Sequence, residues 1–324
     1  MKTILCRMLA LVLLTCTLTA CSGAPAAPKG EEKLHIVATI FPEYDWVMNV
    51  LGEHADRAEV TLLLGSGVDL HSFQPSAADI LRISSCDLFL YVGGTSDAWA
   101  SEVLRNAENP DMAVIDLLET LGDAVREEEL TEGMQEDSEA GEEGEIEYDE
   151  HVWLSLRNAE VLVGRIGEAL AALDPERAGD YRKNAEAYGE KLRALDAEYA
   201  EAVSHAAVKT LLFGDRFPFR YLTEDYGLRY YAAFSGCSAE TEASFETIVF
   251  LAGKADELSL PAVLTIEGGD RRIAETIVQN TRTKDQRILT LDSMQSVTDQ
   301  DIRDGTTYLS IMERNLTVLK DALQ

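Results

Sequence analysis

The sequence predicts an α/β protein with two three-layer lobes, each built on a parallel sheet, and one long rigid helix that joins them. Strand-length apolar runs alternate with helix-length amphipathic stretches over residues 34–117, and the same alternation returns over residues 211–323. Between these regions, residues 175–206 carry apolar side chains every three or four positions. A helix of that length extends about 45 Å, which is enough to cross a whole domain.

The first lobe is predicted over residues 34–174. The run 34–40 is apolar at all but two positions, as in a strand that is buried on both faces. Pro42 then begins a helix, because proline fits the first helical turn. Further strands are predicted at 60–64, 88–92 and 113–117, and further helices at 77–84, at 98–106 and from residue 156 onward. Strands and helices that alternate through short connections indicate a parallel sheet.

A strongly acidic segment interrupts this alternation. Residues 127–150 contain 13 acidic residues and no Lys, Arg or His. This composition cannot bury enough apolar surface to order the chain, so we predict a mobile surface loop within the acidic region 119–150. Its carboxylates would attract divalent cations weakly and with little selectivity, and a solvated spacer is the alternative interpretation.

The second lobe is predicted over residues 207–324. Strands are predicted at 211–213, 230–233, 262–266 and 288–291, and helices at 217–226, 240–257, 273–280 and 301–323. The order of elements is again that of a parallel sheet covered by helices.

The N-terminal residues predict export and tethering. A short apolar run follows two basic residues and is too short to span a bilayer permanently. Residues 18–21 (Leu-Thr-Ala-Cys) resemble the lipobox of bacterial lipoproteins, in which the cysteine is acylated. Residues 1–20 are therefore predicted to be a signal peptide, Cys21 to carry the lipid, and residues 21–33 to form a flexible tether.

The net charge restricts the classes of function that the chain could have. The formal charge of −30 at pH 7 argues against nucleic-acid binding, which requires a basic face, and it would concentrate cations near the protein. Solubility alone is an alternative explanation of that charge.

With Cys21 acylated, only Cys86 and Cys237 could pair in a disulfide. Cys86 precedes a predicted strand and Cys237 follows one, so we expect two small buried thiols and no disulfide.

Two histidines occupy positions typical of ligand-binding residues. His71 follows the second predicted strand, where crevices form at the carboxyl ends of parallel strands. His151 ends the acidic segment and follows two acids. Neutral imidazole is a common ligand of borderline divalent metals, although a single histidine is more often a capped or solvated residue.

Two acidic residues follow strands of the second lobe. Asp215 comes after the strand at 211–213, and Asp270, with Glu267 close by, comes after the strand at 262–266. Capping of helix N-termini is the alternative role for these carboxylates.

These motifs together resemble the zinc and manganese substrate-binding proteins of ABC importers. Residues 69–76 (Asp-Leu-His-Ser-Phe-Gln-Pro-Ser) are similar to the family's Asp-Pro-His-Ser-Phe-Glu-Pro-Ser element, and residues 149–153 (Asp-Glu-His-Val-Trp) to its Asp-Pro-His-Val-Trp element. The resemblance extends over residues 36–323. It implies two lobes joined by one long helix, a metal ion in the cleft between them, and His71 and His151 as ligands from the first lobe. The long helix should restrict hinge motion, so we predict small domain closure.

The second-lobe ligands that the resemblance implies are Asp215 and Asp270, with Glu267 as an alternative to Asp270. Zinc-preferring members generally carry a third histidine near Asp215, and manganese-type members carry an acid there. Zinc-specific members also often carry a His-rich stretch where this chain is acidic. Two imidazoles and two carboxylates suit either Zn²⁺ or Mn²⁺ as the transported ligand, and we favour zinc.

The implied function is that of a monomeric, lipid-anchored extracytoplasmic protein that delivers a metal ion to an ABC permease and its ATPase. We expect the chain to be neither an enzyme nor a nucleic-acid-binding protein. Two alternatives are an extracytoplasmic metallohydrolase and an adhesin-type lipoprotein with an incidental metal. A catalytic zinc needs an open coordination position and a nearby base, and the chain contains no His-Glu-x-x-His motif.

Overall fold

The computed structural model describes residues 33–135, 147–238 and 242–324. The predicted signal peptide, Cys21 and the predicted tether up to residue 32 lie outside these ranges, as do residues 136–146 of the acidic segment. None of the helices in the described ranges has both the length and the apolar character that a bilayer-spanning helix needs.

The first lobe contains a four-stranded parallel sheet with the strand order β2-β1-β3-β4. Its strands are β1 (Leu34–Ala38), β2 (Ala58–Leu62), β3 (Leu88–Tyr91) and β4 (Ala113–Asp116). Its helices are α1 (Phe41–Leu51), α2 (Ala77–Ser85), α3 (Ala100–Arg105), α4 (Leu117–Leu121) and α5 (Leu156–Leu173). Residues 36–38 of β1 are buried, as the apolar run predicts for a central parallel strand.

The second lobe repeats this arrangement with the strand order β6-β5-β7-β8, again parallel. Its strands are β5 (Thr210–Phe217), β6 (Arg229–Ser235), β7 (Ala262–Ile266) and β8 (Arg287–Leu291). Its helices are α7 (Arg220–Tyr226), α8 (Phe245–Glu257), α9 (Arg272–Asn280), α10 (Asp299–Arg303) and α11 (Tyr308–Ala322).

The C-terminal region differs from the single helix predicted at 301–323, because it contains two helices. Gly305 lies between α10 and α11 with φ of 92°, a backbone conformation that glycine adopts readily and that ends a helix. The side chain of Thr307 then accepts a hydrogen bond from the backbone N–H of Ser310 and caps the start of α11.

One long helix, α6 (Ala178–Ser204), contacts both lobes. Its buried face carries Tyr188, whose hydroxyl lies 3.2 Å from Asp45 Oδ2 in the first lobe. One end of the same face carries Tyr199, whose hydroxyl donates to the carbonyl of Met312 in the second lobe at 2.6 Å. The largest cluster of buried apolar residues includes both sheets and α6. The predicted two-lobed parallel α/β fold is therefore confirmed.

The lobes are also joined by direct hydrogen bonds between buried groups. Trp153 Nε1 donates to the Ser293 carbonyl at 2.9 Å, and the Tyr308 hydroxyl donates to the Trp153 carbonyl at 2.7 Å. Trp153 belongs to a short turn just after His151, so these bonds fix the position of the second predicted metal-binding motif against the second lobe.

The described parts of the acidic segment are ordered by specific contacts, which differs from the predicted mobile loop. Glu127 pairs with Tyr148 in an antiparallel bridge, and the backbone N–H of Gln135 donates to the Ala233 carbonyl at 3.0 Å. The prediction was wrong for these residues because it considered only apolar burial. Backbone hydrogen bonds supply the order instead.

Candidate metal site

His71 lies on a short 3-10 turn, Leu70–Ser72, in the loop that follows β2. The turn is capped by Asp69, whose Oδ1 accepts the backbone N–H of His71 at 3.0 Å. The ring is half-buried, and its Nδ1 lies 2.8 Å from Ser96 Oγ and 3.5 Å from Glu150 Oε2. Both neighbours of Nδ1 can accept a hydrogen bond, so they favour the tautomer in which Nε2 carries the lone pair.

His151 lies at the end of the acidic segment, directly before the short 3-10 turn Val152–Leu154, and it is fully buried. Asp149 Oδ1 accepts its backbone N–H at 2.9 Å and lies 3.1 Å from its Nδ1. This carboxylate therefore fixes the orientation of the ring and leaves Nε2 available as a ligand atom.

The two imidazoles face each other through Nε2, with 3.1 Å between the two nitrogens. Because both Nδ1 atoms have acceptor neighbours, the two Nε2 lone pairs point toward the same position, and a shared proton or a cation must separate them. Two nitrogens bound to a tetrahedral zinc ion at 2.0–2.1 Å are about 3.3 Å apart. The observed separation of His71 and His151 therefore fits two ligands of one ion with little movement.

The protonation of the pair follows from its surroundings. Burial lowers the pKa of His71, and a positive charge on His151 lowers this pKa further, so the His71 ring is neutral. Burial also lowers the pKa of His151, but the carboxylates of Asp149, Glu150 and Glu128 together outweigh it, and the net result is a raised pKa. The proton shared by the two rings therefore belongs mainly to His151, and a metal ion would replace it.

Cys237 is the third residue of this cluster. Its sulfur and one ring nitrogen each of His71 and His151 lie within 4.8 Å of one another. Cys237 follows β6 by two residues, so it too lies at the carboxyl end of a parallel strand. Burial raises the pKa of the thiol, and nearby carboxylates, first among them Glu128, raise it further.

The residue before Cys237 has to be a glycine for this approach. A Cβ atom at Gly236 would lie 2.9 Å from both Cε1 of His151 and the carbonyl oxygen of Phe217. Such separations are shorter than carbon atoms normally tolerate, so only a residue without a side chain lets the chain after β6 pass the His151 ring.

Buried carboxylates lie behind the two imidazoles. The Ser96 backbone N–H donates to Glu150 Oε1 at 2.9 Å, which directs the other oxygen toward His71. Gly94, with φ of 76°, leaves the room that this carboxylate occupies. Burial raises the pKa of Glu150 and of Glu128. Acidic groups at this depth form an environment that favours a cation between the rings.

The family model described as "Zinc-uptake complex component A periplasmic" matches residues 36–322. The chain belongs to this zinc-uptake family. It is 34% identical over 306 residues to the zinc-binding lipoprotein AdcA of Streptococcus pneumoniae, and the match covers 94% of this chain and 58% of AdcA. The chain thus spans little more than half the length of that relative. It is 28% identical to the high-affinity zinc uptake system protein ZnuA of Bacillus subtilis, with 96% of both proteins covered.

A similar structure is that of the Zn(II)-bound ZnuA-like domain of Streptococcus pneumoniae AdcA. Its TM-score to this chain is 0.70 at 31% sequence identity, and the match covers 90% of this chain and 99% of that domain. The resemblance predicted from the two histidine motifs is thereby confirmed at the level of family and fold.

In this member of the zinc-uptake family, Asp215 and Glu267 are held by backbone groups of their own lobe. Asp215 accepts the N–H of Arg216 at 2.9 Å and that of Ile266 at 3.1 Å. Glu267 accepts the N–H and the hydroxyl of Ser293 at 2.6 and 2.8 Å. Burial raises the pKa of both carboxyls.

Asp270 is exposed and pairs with Arg272 two residues later, with 2.6 Å between Oδ2 and Nε. Its other oxygen accepts the Arg272 backbone N–H at 3.2 Å, but the N-cap position of α9 is Arg271, so Asp270 does not take the capping role considered for it as an alternative. Among the described residues, the cluster around the two histidines contains none of the three predicted second-lobe carboxylates. The second-lobe residue that the structure brings to the histidines is Cys237.

The sequence analysis considered Cys237 as a disulfide partner or as a small buried thiol, and did not place it beside the two histidines. Both cysteines are unpaired, as expected, and Cys86 is buried just before β3. The available signal was the Gly-Cys pair directly after a predicted strand, the same position after a strand that drew attention to His71.

Proposed function

We propose that this chain is the extracytoplasmic metal-binding component of an ABC importer, which captures Zn²⁺ or Mn²⁺ and delivers it to a permease and its ATPase. The observation that carries the proposal is the opposed pair of imidazoles, His71 and His151, with their Nε2 atoms 3.1 Å apart. Membership of the zinc-uptake family supports the same role, as do the names of relatives that bind zinc or take part in zinc uptake.

The chemistry of the pair is suited to reversible capture. A metal ion binds neutral imidazole, and the lowered pKa of His71 keeps that ring neutral at physiological pH. Capture by the two imidazoles then displaces the proton on His151. Asp149 and Glu150 behind the rings partly balance the incoming charge, and the formal charge of −30 raises the local concentration of cations.

We further propose that residues 1–20 direct export and that a lipid on Cys21 anchors the protein to the outer face of the cell membrane. Residues 21–33 would act as the tether, and the protein would act as a monomer. Replacement of Cys21 by alanine should release the chain from the membrane fraction without changing its metal affinity.

The binding role is tested by measuring zinc affinity of the full chain in competition with a chelating dye. His71→Ala and His151→Ala should each lower the zinc affinity by more than about a hundredfold. Each substitution removes a direct ligand, and this loss should be larger than the loss caused by removing an outer-shell partner. His205→Ala is a matched control, since His205 is exposed at the end of α6. Unchanged affinity in both site variants would contradict the proposal.

Two further measurements separate the alternatives. A metallohydrolase would show turnover of ester, peptide or phosphate substrates that depends on bound zinc, whereas the proposed receptor shows none. An adhesin with an incidental metal would leave cellular zinc uptake unchanged when His151 is replaced. The proposed receptor should lose stimulated uptake in the same variant.

A further inference from the structure

We propose that the Cys237 thiolate is the third protein ligand of the metal ion, so that the site holds zinc through two nitrogens and one sulfur. The inference rests on the proposed function, in which His71 and His151 hold the ion. Under this proposal the second lobe supplies a sulfur ligand, and a sulfur ligand also distinguishes zinc from manganese.

The first support is geometric. In a tetrahedral zinc site with Zn–S of 2.3 Å and Zn–N of 2.0–2.1 Å, the sulfur and each nitrogen are about 3.6 Å apart. The Cys237 sulfur and one ring nitrogen each of His71 and His151 already lie within 4.8 Å of one another. A movement of about 1 Å or a change of side-chain rotamer therefore suffices to complete the set.

The second support is the way the backbone holds Cys237 at this position. Its N–H donates to Glu128 Oε1 at 3.2 Å, so an acid of the first lobe fixes a residue that follows β6 of the second. Gly236 allows the chain to pass within van der Waals contact of the His151 ring, where a Cβ would lie 2.9 Å from Cε1. Two independent contacts thus place the thiol beside the ring that carries the other ligand atom.

The third support is the state of the competing carboxylates. Asp215 and Glu267 each accept backbone N–H groups of the second lobe, and Asp270 pairs with Arg272 on the surface. Recruiting Asp215 or Glu267 would break hydrogen bonds to backbone groups of the second lobe, and recruiting Asp270 would break its ion pair with Arg272.

Binding of the ion to Cys237 exchanges the thiol proton for the metal. Binding forms a metal–sulfur bond, breaks the S–H bond, and releases one proton to solvent. The resulting thiolate cancels one positive charge of the divalent ion. Thiolate is a soft ligand that suits zinc, whereas manganese prefers carboxylate, carbonyl and water oxygens. A nitrogen–nitrogen–sulfur set therefore favours zinc over manganese.

Zinc K-edge X-ray absorption on the zinc-loaded full chain tests the inference directly. We expect one sulfur neighbour at about 2.3 Å in addition to nitrogen and oxygen neighbours at about 2.0–2.1 Å. The sulfur signal should disappear in Cys237→Ser and persist in Cys86→Ser, the matched control for a buried thiol. Zinc affinity in Cys237→Ser should fall by at least about tenfold, while manganese affinity should change by less than about threefold.

The outcomes separate the two proposals. Zinc bound to the wild-type chain with only nitrogen and oxygen neighbours would overturn the sulfur assignment and leave the metal-binding role intact. A sulfur signal that persists in Cys237→Ser would overturn it as well. A wild-type chain that binds no zinc would overturn both. If Cys237→Ser fails to fold, a sulfur signal that persists in Cys86→Ser supports the assignment, because Cys237 is the thiol near the two histidines among the described residues, and loss of the signal in Cys86→Ser overturns it.

Discussion

Asp69 and Arg216 form an ion pair between the two lobes, with 2.6 Å between Oδ2 and Nη2. The other oxygen of Asp69 accepts the backbone N–H of His71 at 3.0 Å. Burial raises the pKa of Asp69, but the charge and hydrogen bond of Arg216, together with His71, outweigh it. The net pKa is lowered, so the carboxylate is ionised. One side chain thus connects the turn that carries His71 in the first lobe with the second lobe.

The two roles of Asp69 can be separated by two substitutions. Asp69→Asn keeps an oxygen that can accept the His71 N–H and removes the charge, whereas Asp69→Ala removes both. Loss of a cap costs about 1 kcal/mol, so we expect the alanine variant to bind zinc roughly fivefold more weakly than the asparagine variant. Competition titration measures the difference. Equal affinities of the two variants would show that the cap does not position His71.

Gly236 provides a test of the close approach between the chain after β6 and His151. Gly236→Ala places a Cβ 2.9 Å from the His151 ring and from the Phe217 carbonyl, so we expect weaker zinc binding and a loss of about 1–3 kcal/mol in the free energy of unfolding. Gly164→Ala is the matched control, because Gly164 is an exposed residue of α5 with no atom within 4 Å of the new Cβ.

The control variant Gly164→Ala should have a slightly higher free energy of unfolding than the wild type, whereas Gly236→Ala should have a lower one. Alanine in place of glycine within a helix stabilises by about 0.5–1 kcal/mol, so Gly164→Ala should raise the urea midpoint slightly and leave zinc affinity unchanged. A Gly236→Ala variant that matches the control in both measurements would mean that the chain near His151 has room for a side chain.

The alternation of apolar runs was sufficient to predict the eight strands and the parallel sheets. Strands that are buried on both faces, such as β1 and β7, are short, nearly continuous apolar runs. They lack the three- and four-residue spacing of apolar residues that marks an amphipathic helix. His71 and His151 could be predicted because each lies in a local motif with a characteristic sequence. Both residues come from segments whose positions depend on short-range turns capped by Asp69 and Asp149.

The position of Cys237 beside the two histidines could not be predicted in the same way. Asp215 and Cys237 both follow strands, and the sequence alone does not reveal which side chain points into the cleft. Asp215 is drawn to the N–H of Ile266 on a neighbouring strand, a long-range contact that spacing along the chain does not encode. Cys237 depends on Gly236 passing a ring that is 85 residues earlier in the chain, which becomes visible only in three dimensions.

The lobes should move little when the ion binds. Trp153 Nε1 bonds to the Ser293 carbonyl and Tyr308 to the Trp153 carbonyl, all in buried positions, and α6 packs against both lobes. Opening the cleft would expose these polar groups and divide a shared apolar core. We therefore expect small-angle scattering to give radii of gyration for the chelator-treated and the zinc-loaded chain that differ by less than about 1 Å. A larger change would indicate a hinge that these contacts do not restrain.

Glu43 should make stability depend on pH. It is fully buried, and its Oε2 accepts the Thr39 N–H at 2.7 Å and the Ile40 N–H at 3.3 Å. Burial, aided by the negative charge of Asp97, raises its pKa from 4.5 to about 8. Between these two values the folded chain holds a proton that the unfolded chain has released, so the free energy of unfolding falls as pH rises, by about 1.4 kcal/mol per pH unit.

Glu43→Gln tests this contribution, because glutamine keeps an acceptor oxygen and cannot titrate. Urea denaturation of both chains between pH 5 and pH 8 should show the wild type losing about 3–4 kcal/mol relative to the variant over that interval. Asp97, whose pKa burial raises to about 7, is present in both chains and so does not by itself create a difference between them. Parallel pH profiles of the two chains would mean that Glu43 is ionised in the folded protein and that its unpaired oxygen, Oε1, has found a compensating partner.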